Sequence, residues 1–350
     1  MDPQSFLFRG RPFLRFPRID PHQPDSPFVV ARILSGRYSV SEPFAVGETS
    51  VVLAARDLRT DRDVLIKAVR TDAILPAPPG VEPNAWRIEE LRRARHGLQT
   101  ERRLLVRLRN ADINAVPHPN DFVYDVNADL DAIEPAMADR EPYLVLQKLS
   151  GATLEAVISQ EFPRGMNALD AVRLLLPIVQ ALAFLEEPWQ HDAGPTWHVV
   201  YQDLKPANLV IGPAGRATLL DFGGCQVVVN GVPVLAGSHT SGYSPPECHG
   251  PPRVLLPCAD VYTIGATFFH ALSGLDPIAL FADHVQSGRP PGEFVLDASA
   301  LPRRTPPPLR SILASCLAPR PSDRLADARQ VANQLVAWRN SATNDLADTP

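Results

Sequence analysis

Lysine is scarce in this chain, and the placement of its lysines is the first sign of chemistry. Lys and Arg together number 34 in 350 residues, yet only Lys67, Lys148 and Lys205 are lysines. Arginine replaces lysine where only charge matters, but its planar, forked guanidinium does not replace a compact ammonium. In a chain this rich in arginine, each of the three lysines therefore marks a position that could need a compact ammonium.

One short stretch concentrates reactive side chains. It reads Tyr201-Gln202-Asp203-Leu204-Lys205-Pro206-Ala207-Asn208, and Asp221-Phe222-Gly223 begins thirteen residues after Asn208. A lone Asp is most often a turn or cap residue, but that explanation weakens for a complete ordered set. The set resembles the catalytic loop H-R-D-L-K-P-x-N and the metal motif D-F-G of eukaryotic-type (Hanks-type) Ser/Thr protein kinases. The resemblance covers about residues 37 to 338.

The resemblance implies a role for each of these side chains. Asp203 would orient an acceptor hydroxyl and take its proton, and Lys205 would contact the transferring phosphoryl group, so both are predicted to be catalytic. Asn208 and Asp221 would hold Mg²⁺, or Mn²⁺, with hard oxygen ligands. Together they predict ATP-dependent transfer of a γ-phosphoryl group to Ser/Thr hydroxyls of protein substrates.

An ATP site is implied farther upstream. Val64-Leu65-Ile66-Lys67 matches the V-A-I-K strand of the family, so Lys67 would contact the α and β phosphates and pair with Glu101. Taken alone, Glu101 would be a surface helix residue paired with Arg. The nucleotide-binding residues implied by the resemblance are Ala45, Gly47, Val52, Lys67, Glu101, Leu146, Gln147 and Leu149.

The glycine-rich loop of the family is eroded in this chain. Of the pattern G-x-G-x-x-G only Gly47 remains, with Ala45 and Ser50 at the other glycine positions. Glycine lets backbone N–H groups approach phosphates closely, and Glu48 adds a like charge beside them. We expect weakened nucleotide binding, not its loss.

A second departure concerns regulation. Gln202 replaces the Arg that pairs with a phosphorylated activation-loop residue in the family, so we expect activity without that phosphorylation. Asn230-Gly231 between alternating apolar residues predicts a hairpin over 226–234. Thr240 is expected to contact Asp203, and Tyr201, in place of the family's His, is expected to pack on Phe222.

The close of the activation segment supplies further implied pairs. Thr240-Ser241-Gly242-Tyr243-Ser244-Pro245-Pro246-Glu247 resembles the family's G-T-x-G-Y-x-A-P-E. By that resemblance Glu247 pairs with Arg324, and Asp260 braces the backbone of the catalytic loop. Lys205 and Thr240 favour Ser/Thr over Tyr acceptors.

The elements that must position these residues predict an α+β, two-lobed protein kinase-like fold. Residues 1–36 are rich in Pro and Arg and are expected to be a flexible or loosely docked arm without regular structure, which could bind an acidic partner. Residues 37–149 form a small, mostly β N-lobe, with strands at 38–46, 50–56, 63–69, 122–124 and 143–146 and a helix at 86–109. Residues 150–338 form a larger, mostly α C-lobe, with helices at 168–186, 261–272, 311–317 and 326–338. Residues 339–350 are expected to be a tail.

The composition of the chain argues against several other classes of protein. The net charge of −5 gives no general attraction to nucleic acid or acidic membranes. The four cysteines show no C-x-x-C spacing, which argues against a zinc site and a disulfide framework. No uncharged apolar run of about 18 residues is present, so no spanning helix is expected. A soluble, cytoplasmic, bacterial protein is expected, since the Arg bias fits a GC-rich genome.

Two other functions stay open from sequence. The eroded loop would suit a pseudokinase or scaffold that binds nucleotide weakly. A small-molecule phosphotransferase of kinase-like fold would share the spacing of Asp203, Asn208 and Asp221, although Leu204-Lys205-Pro206 and Ser244-Pro245-Pro246-Glu247 favour protein substrates.

Overall fold

The computed structural model describes residues 3–20, 26–47, 49–71, 77–130, 139–190, 194–250 and 254–347. The chain divides into two compact units, one of Met1–Arg107 with Pro117–Lys148 and one of Leu108–Val116 with Leu149–Pro350. The first unit is built mainly of strands and the second mainly of helices, which is the predicted α+β arrangement. The lobe boundary predicted at 149/150 lies one residue from the observed division.

The first 36 residues do not form the predicted arm without regular structure. They contain a three-stranded antiparallel sheet of β1 (Gln4–Phe8), β2 (Arg11–Phe16) and β3 (Phe28–Ala31). Arg9 and Gly10 join β1 to β2 with φ of 48° and 75°, as a two-residue hairpin turn of type I′ needs. The prediction was wrong because most of the prolines lie between β2 and β3, while the strands themselves carry aromatic residues that can be buried.

A six-stranded antiparallel sheet forms the rest of the strand structure in this unit. Its strands are β4 (Ile33–Leu34), β5 (Tyr38–Val46), β6 (Ser50–Asp57), β7 (Arg62–Val69), β8 (Pro119–Asp125) and β9 (Glu141–Gln147), in the order β4-β5-β6-β7-β9-β8. The five predicted strands fall inside β5 to β9. Of the acidic segment 125–139, predicted as an enlarged turn, residues 131–138 lie outside the described part of the chain.

The two faces of the six-stranded sheet have different surroundings. Residues opposite each other in an antiparallel pair point to the same face, so the register places Val51, Leu53, Ile66, Ala68, Tyr143 and Val145 together on what we call the back face. These side chains share one hydrophobic core with Phe13, Phe16, Phe28 and Val30 of the N-terminal sheet. The N-terminal sheet therefore covers the back face and belongs to the core of the unit.

Polar contacts fasten the N-terminal sheet to the rest of the unit. Arg11 of β2 binds Asp125 of β8 through two bonds of 2.7 and 2.9 Å, and the N–H of Ser35 also donates to Asp125. Burial opposes ionisation, but these bonds outweigh it and lower the pKa of Asp125. Arg9 pairs with Asp139, so two arginines of the predicted acidic-partner site already have acidic partners within the chain.

Helix α1 (Pro83–Asn110) contains the predicted helix 86–109. Leu98, Leu104 and Leu105 are buried, which follows from their helical spacing. Arg95 of α1 forms an almost fully buried ion pair with Glu141 of β9. This pair joins the helix to the sheet six residues before Glu101.

The second unit contains six longer helices in the described residues: α2 (Leu154–Glu161), α3 (Ala168–Leu185), α4 (Cys258–Ser273), α5 (Pro277–Gln286), α6 (Pro307–Cys316) and α7 (Ala328–Ala347). Sequence analysis did not predict α2 and α5. Helix α7 continues through 339–347, so the predicted tail is helical up to Ala347.

By length and composition α3 could span a bilayer, but it carries Asp170 and Arg173, and ten of its side chains are buried in this unit. Helix α4 is buried from Cys258 to Leu272, as its apolar character on all sides predicts.

Two small antiparallel sheets complete the second unit. One orders β10 (Ala152–Thr153), β13 (Leu209–Ile211) and β14 (Ala217–Leu219), and the other orders β11 (Trp189–Gln190), β12 (Thr196–Val200), β15 (Gln226–Val229) and β16 (Val232–Ala236). Strands β15 and β16 form the predicted hairpin, and Asn230 and Gly231 at its turn have φ of 49° and 80°. Its pairing with β12 was not predicted.

Candidate active site

Lys67 and Glu101 form a buried ion pair in the first unit. Lys67 lies in β7, and its Nζ donates to Glu101 Oε2 over 2.8 Å. The side chains are only 8% and 3% exposed, so Glu101 is not a surface helix residue. Removing either charge would deprive the other buried charge of its ion-pair partner, which is costly. The pair therefore fixes the position of the ammonium on its strand.

Lys67 lies on the face of the six-stranded sheet opposite the back face. The register places Ala45, Val52, Lys67 and Leu144 across from one another on this face, and Leu146 follows two residues after Leu144. One ammonium beside small and branched apolar side chains suits a ligand with an aromatic ring and a phosphate chain. The predicted site residues Gln147 and Leu149 are exposed and half-buried, and Leu149 belongs to the second unit.

The turn between β5 and β6 stands where the family has its glycine-rich loop. The N–H of Gly47 donates to Ser50 O over 2.8 Å, and Arg70 Nη1 donates to Gly47 O, also over 2.8 Å. A β-carbon at Gly47 would meet only ordinary van der Waals contacts, at 3.5 Å. Glu48, predicted to repel phosphate, lies outside the described residues.

In the second unit, Asp260 braces the segment that leads into the catalytic loop. Its two carboxylate oxygens accept from the N–H groups of Tyr201 and Gln202, over 2.8 and 2.7 Å. Gln202 has φ of 67°, an uncommon conformation for a residue with a β-carbon. The two bonds from Asp260 help to hold that conformation, so this buried residue of α4 shapes the loop as predicted.

Asp203, Lys205 and Thr240 form one polar cluster. Thr240 Oγ1 donates to Asp203 Oδ1 over 2.5 Å, which is the predicted contact. Lys205 Nζ donates to both oxygens of Asp203, over 3.1 and 2.9 Å, and to Thr240 Oγ1 over 2.6 Å. A carboxylate oxygen thus accepts a hydroxyl hydrogen with an ammonium beside it. This is the arrangement that a base acting on a Ser/Thr hydroxyl needs.

Asn208 and Asp221 are suited to a hard divalent cation. Asn208 Nδ2 donates to Asp203 O and Asp203 Oδ2 over 2.8 and 3.0 Å. Both amide hydrogens of Asn208 are therefore used in these bonds, and its Oδ1 is the atom that could coordinate a cation. Leu220 N–H donates to Asn208 O over 2.8 Å, which brings the residue before Asp221 beside Asn208. Two oxygen ligands fit Mg²⁺, which takes few protein ligands and completes its shell with phosphates and water. The described residues contain no group of three or more His, Cys, Asp or Glu side chains that could hold a metal alone.

Tyr201 and Phe222 pack together as predicted. Their rings lie 5.4 Å apart and nearly perpendicular. Tyr201 Oη also donates to the backbone oxygens of Leu220 and Asp221. Tyr201 therefore contacts the metal motif with both its ring and its hydroxyl.

The activation segment is tied to the strand that precedes the catalytic loop. Strand β15 begins five residues after Asp221 and pairs with β12, which ends just before Tyr201, so that Val200 is opposite Gln226. At the other end of the segment, Arg324 makes two bonds of 2.6 and 2.8 Å to Glu247, the predicted pair.

The carboxyl groups of the buried Asp260 and the half-buried Glu186 influence each other. Burial raises the pKa of Asp260 to about 6 despite its two backbone bonds. Burial and repulsion from Asp260 raise the pKa of Glu186 to about 9. Glu186 Oε2 accepts the N–H of Ala328 at the start of α7, while Oε1 is buried without a hydrogen-bond partner.

Sequence analysis missed residues that position the predicted ones. Arg70 and the pair Arg95–Glu141 were not singled out, because in a chain with so many arginines no single one stands out. Their partners lie far away in the sequence, so no local pattern could have identified these pairs before the structure was known. Glu186 was likewise assigned only to a helix end.

Fold and site together define the class of eukaryotic-type protein kinases, because a buried Lys–Glu pair on a β unit accompanies an Asp-Leu-Lys-Pro-Ala-Asn loop and an Asp-Phe-Gly motif on a helical unit. The chain belongs to this family: the family model described as protein kinase domain matches residues 38–336. It is 28% identical over 319 residues to serine/threonine-protein kinase PknL of Mycobacterium tuberculosis, covering 87% of this chain and 66% of PknL.

A second relative and a solved structure are also similar to this chain. The chain is 24% identical over 327 residues to the probable serine/threonine-protein kinase PknB of Corynebacterium glutamicum, covering 90% of this chain and 44% of that protein. It thus spans between two fifths and two thirds of these relatives' lengths. The solved structure titled PpkA-294 apo form has a TM-score of 0.59 at 19% identity, covering 85% of this chain and 96% of that one, which shows the shared fold.

Proposed function

We propose that the protein is an ATP- and Mg²⁺-dependent Ser/Thr protein kinase. Asp203 accepts the proton of a Ser or Thr hydroxyl. At the same time the hydroxyl oxygen bonds to the γ-phosphorus of ATP, and the bond between the γ-phosphorus and the oxygen that leaves with ADP breaks. Lys205 lies beside the hydroxyl oxygen of the acceptor and stabilises the negative charge of the transferring phosphoryl group. Mg²⁺, held by Asn208 and Asp221, supplies charge neutralisation when bound.

The contact between Thr240 and Asp203 is the single observation that carries this proposal. A threonine hydroxyl of the chain itself already donates to Asp203 Oδ1 with Lys205 Nζ 2.6 Å from the hydroxyl oxygen. The names of the relatives, both Ser/Thr kinases, also support a Ser/Thr acceptor.

The test is transfer of radiolabel from ATP by the wild type and Asp203→Asn, followed by mapping of the labelled sites. We expect label on Ser and Thr with the wild type and its loss in Asp203→Asn. Asp170→Asn is the matched control, because that carboxylate is 63% exposed on α3, and it should label normally. Equal label in the wild type and Asp203→Asn would refute the kinase proposal.

We further infer that activity does not require phosphorylation of the activation loop. Gln202 provides no charge to bind a phosphate, and the segment is already held by the β12–β15–β16 ladder. Ser238→Ala and Ser241→Ala should therefore remain active. If either lost activity and Asp at that position restored it, the inference would fail. Thr240 is unsuitable for this test because it contacts Asp203.

A pseudokinase is the second candidate, and the loss of glycine at Ala45 and Ser50 is the observation in its favour. Thermal shift with ATP and Mg²⁺, compared between the wild type and Lys67→Met, measures binding apart from catalysis. A shift without any phosphoryl transfer would favour the pseudokinase. Transfer only to small hydroxyl compounds would favour a small-molecule phosphotransferase.

A further inference from the structure

The described residues of the turn between β5 and β6, Gly47 and Thr49, are held more firmly than the sequence suggests. Only one of the three family glycines is present in it, and its described residues are bonded to Arg70 twice. The N–H of Arg70 donates to Thr49 O over 3.0 Å, and its Nη1 donates to Gly47 O over 2.8 Å. Since Arg70 directly follows β7 and lies three residues after Lys67, the turn is bonded to the residue next to the strand that carries the ammonium.

The guanidinium of Arg70 is buried, with only 2% of the side chain exposed. A buried charge is retained where it has a charged partner and hydrogen bonds. Asp20 supplies that charge: its Oδ2 lies 3.3 Å from Arg70 Nη1, the same nitrogen that binds Gly47. Asp20 is therefore placed to orient the nitrogen that holds the turn.

Asp20 itself belongs to the N-terminal part of the chain, just after β2. Its N–H donates to Ser26 Oγ over 3.0 Å, and the neighbouring Ile19 N–H donates to Ser26 O over 2.9 Å. Ile19 is buried in the core beneath the N-terminal sheet. A line of contacts thus runs from that sheet through Asp20 and Arg70 to the backbone of Gly47.

The geometry points to Arg70 as a positioning residue for the phosphates of the nucleotide, with Asp20 acting through it. This inference rests on the proposed ATP site. Because Gly47 and Thr49 are already held before binding, they lose less conformational freedom when phosphates dock at the turn. Arg70 would thereby offset the lost glycines, and the N-terminal sheet would contribute to nucleotide affinity without contacting the ligand.

The test compares ligands with and without phosphates by calorimetry on the full chain. Arg70→Met should weaken binding of a non-hydrolysable ATP analogue with Mg²⁺ by about tenfold, the worth of one charged hydrogen bond. Adenosine binding should change less than about twofold, because adenosine has no phosphate for the turn to hold. Arg15→Met, an exposed arginine of β2, is the matched control and should affect neither ligand.

Asp20→Asn provides the second arm and covers the case that Arg70→Met fails to fold. We expect about threefold weaker binding of the ATP analogue, unchanged adenosine binding, and no further loss when Asp20→Asn is added to Arg70→Met. Equal weakening of both ligands, or additive effects of the two substitutions, would overturn the inference. If the wild type bound no ATP analogue, the proposed function would fail first, and that result is distinct from either outcome.

Discussion

The side chain of Gln202 fills the space that a β-carbon on Gly237 would need. A β-carbon built on Gly237 would lie 2.5 Å from Gln202 Oε1, and Gly237 has φ of +78°. Gln202, which stands where the family has a phosphate-binding Arg, therefore packs against the backbone at Gly237, directly after β16. Gln202 carries no charge that could attract a phosphate, and its side chain lies close to the backbone of Gly237.

The first prediction follows from this contact. Gly237→Ala should lower kcat by about tenfold or more, because the methyl group displaces Gln202 beside Asp203. Gly231→Ala is the matched control in the same hairpin: its φ is +80°, and nothing lies within 4 Å of its β-carbon position. Both substitutions should cost about 1–2 kcal/mol of stability from the left-handed backbone, but only Gly237→Ala should lower kcat. Adding Gln202→Ala should restore part of the activity of Gly237→Ala, and absence of any rescue would mean that the steric contact is not the cause.

The second prediction separates the three lysines. Lys67→Arg and Lys205→Arg should each lower kcat at least about 100-fold although the charge is kept, because a guanidinium does not fit where the ammonium now binds Glu101 or Asp203. Lys148→Arg should leave kcat within about twofold, since Lys148 is 38% exposed and pairs with the exposed Asp63. Steady-state kinetics of the three variants would check this. Full activity of Lys67→Arg or Lys205→Arg would show that charge alone suffices.

The third prediction concerns the N-terminal sheet. Phe28→Ala should reduce the free energy of unfolding by about 3–5 kcal/mol, because Phe28 is 1% exposed in the core over the back face. Leu7→Ala in β1 should cost less than about 0.5 kcal/mol, since Leu7 is 74% exposed. Denaturant unfolding of the full chain measures both. A similar, small cost for the two would mean that the sheet is not part of the core.

The fourth prediction is a pH dependence of stability. The pKa of Glu186 is raised to about 9 in the folded protein, whereas an unfolded Glu titrates near pH 4.3. The folded state thus holds a proton that the unfolded state releases between these values, so the free energy of unfolding falls as pH rises from about 4.3 to about 9. Glu186→Gln stays neutral and can still accept the N–H of Ala328. Its melting temperature should be much nearer to that of the wild type at pH 5, where the loss in the wild type has only begun, than at pH 8, where it should be higher by at least about 3 °C.

Glu187→Gln is the control for this effect. Glu187 is the next residue, its side chain is 44% exposed, and it pairs with Arg329 at the surface. Its melting temperature should follow that of the wild type at both pH values. If Glu186→Gln showed the same difference from wild type at pH 5 and pH 8, then Glu186 would not be the titrating group.

The sequence predicted those parts of the site and fold whose interacting residues lie close together in one ordered motif. Asp203, Lys205 and Asn208 lie within six residues, and Asn230-Gly231 defines its turn locally, so chemistry and spacing sufficed. The N-terminal strands were missed because their burial depends on the back face of a sheet formed by later residues. The contacts of Asp20 and Arg70 with Gly47 were missed for a similar reason, since they join three separate segments and neither Asp20 nor Arg70 has a distinctive local pattern.

The N-terminal sheet also has a consequence for the order of synthesis. Strand β3 ends at Ala31, while the back face that it covers is complete only at β9, about 116 residues later. At about 5–20 residues per second this delay lasts about 6–23 s. During that time Phe13, Phe16 and Phe28 emerge without the surface that buries them. Productive folding in the cell must therefore keep these three aromatic side chains from other apolar surfaces until the last strand of the larger sheet has been made.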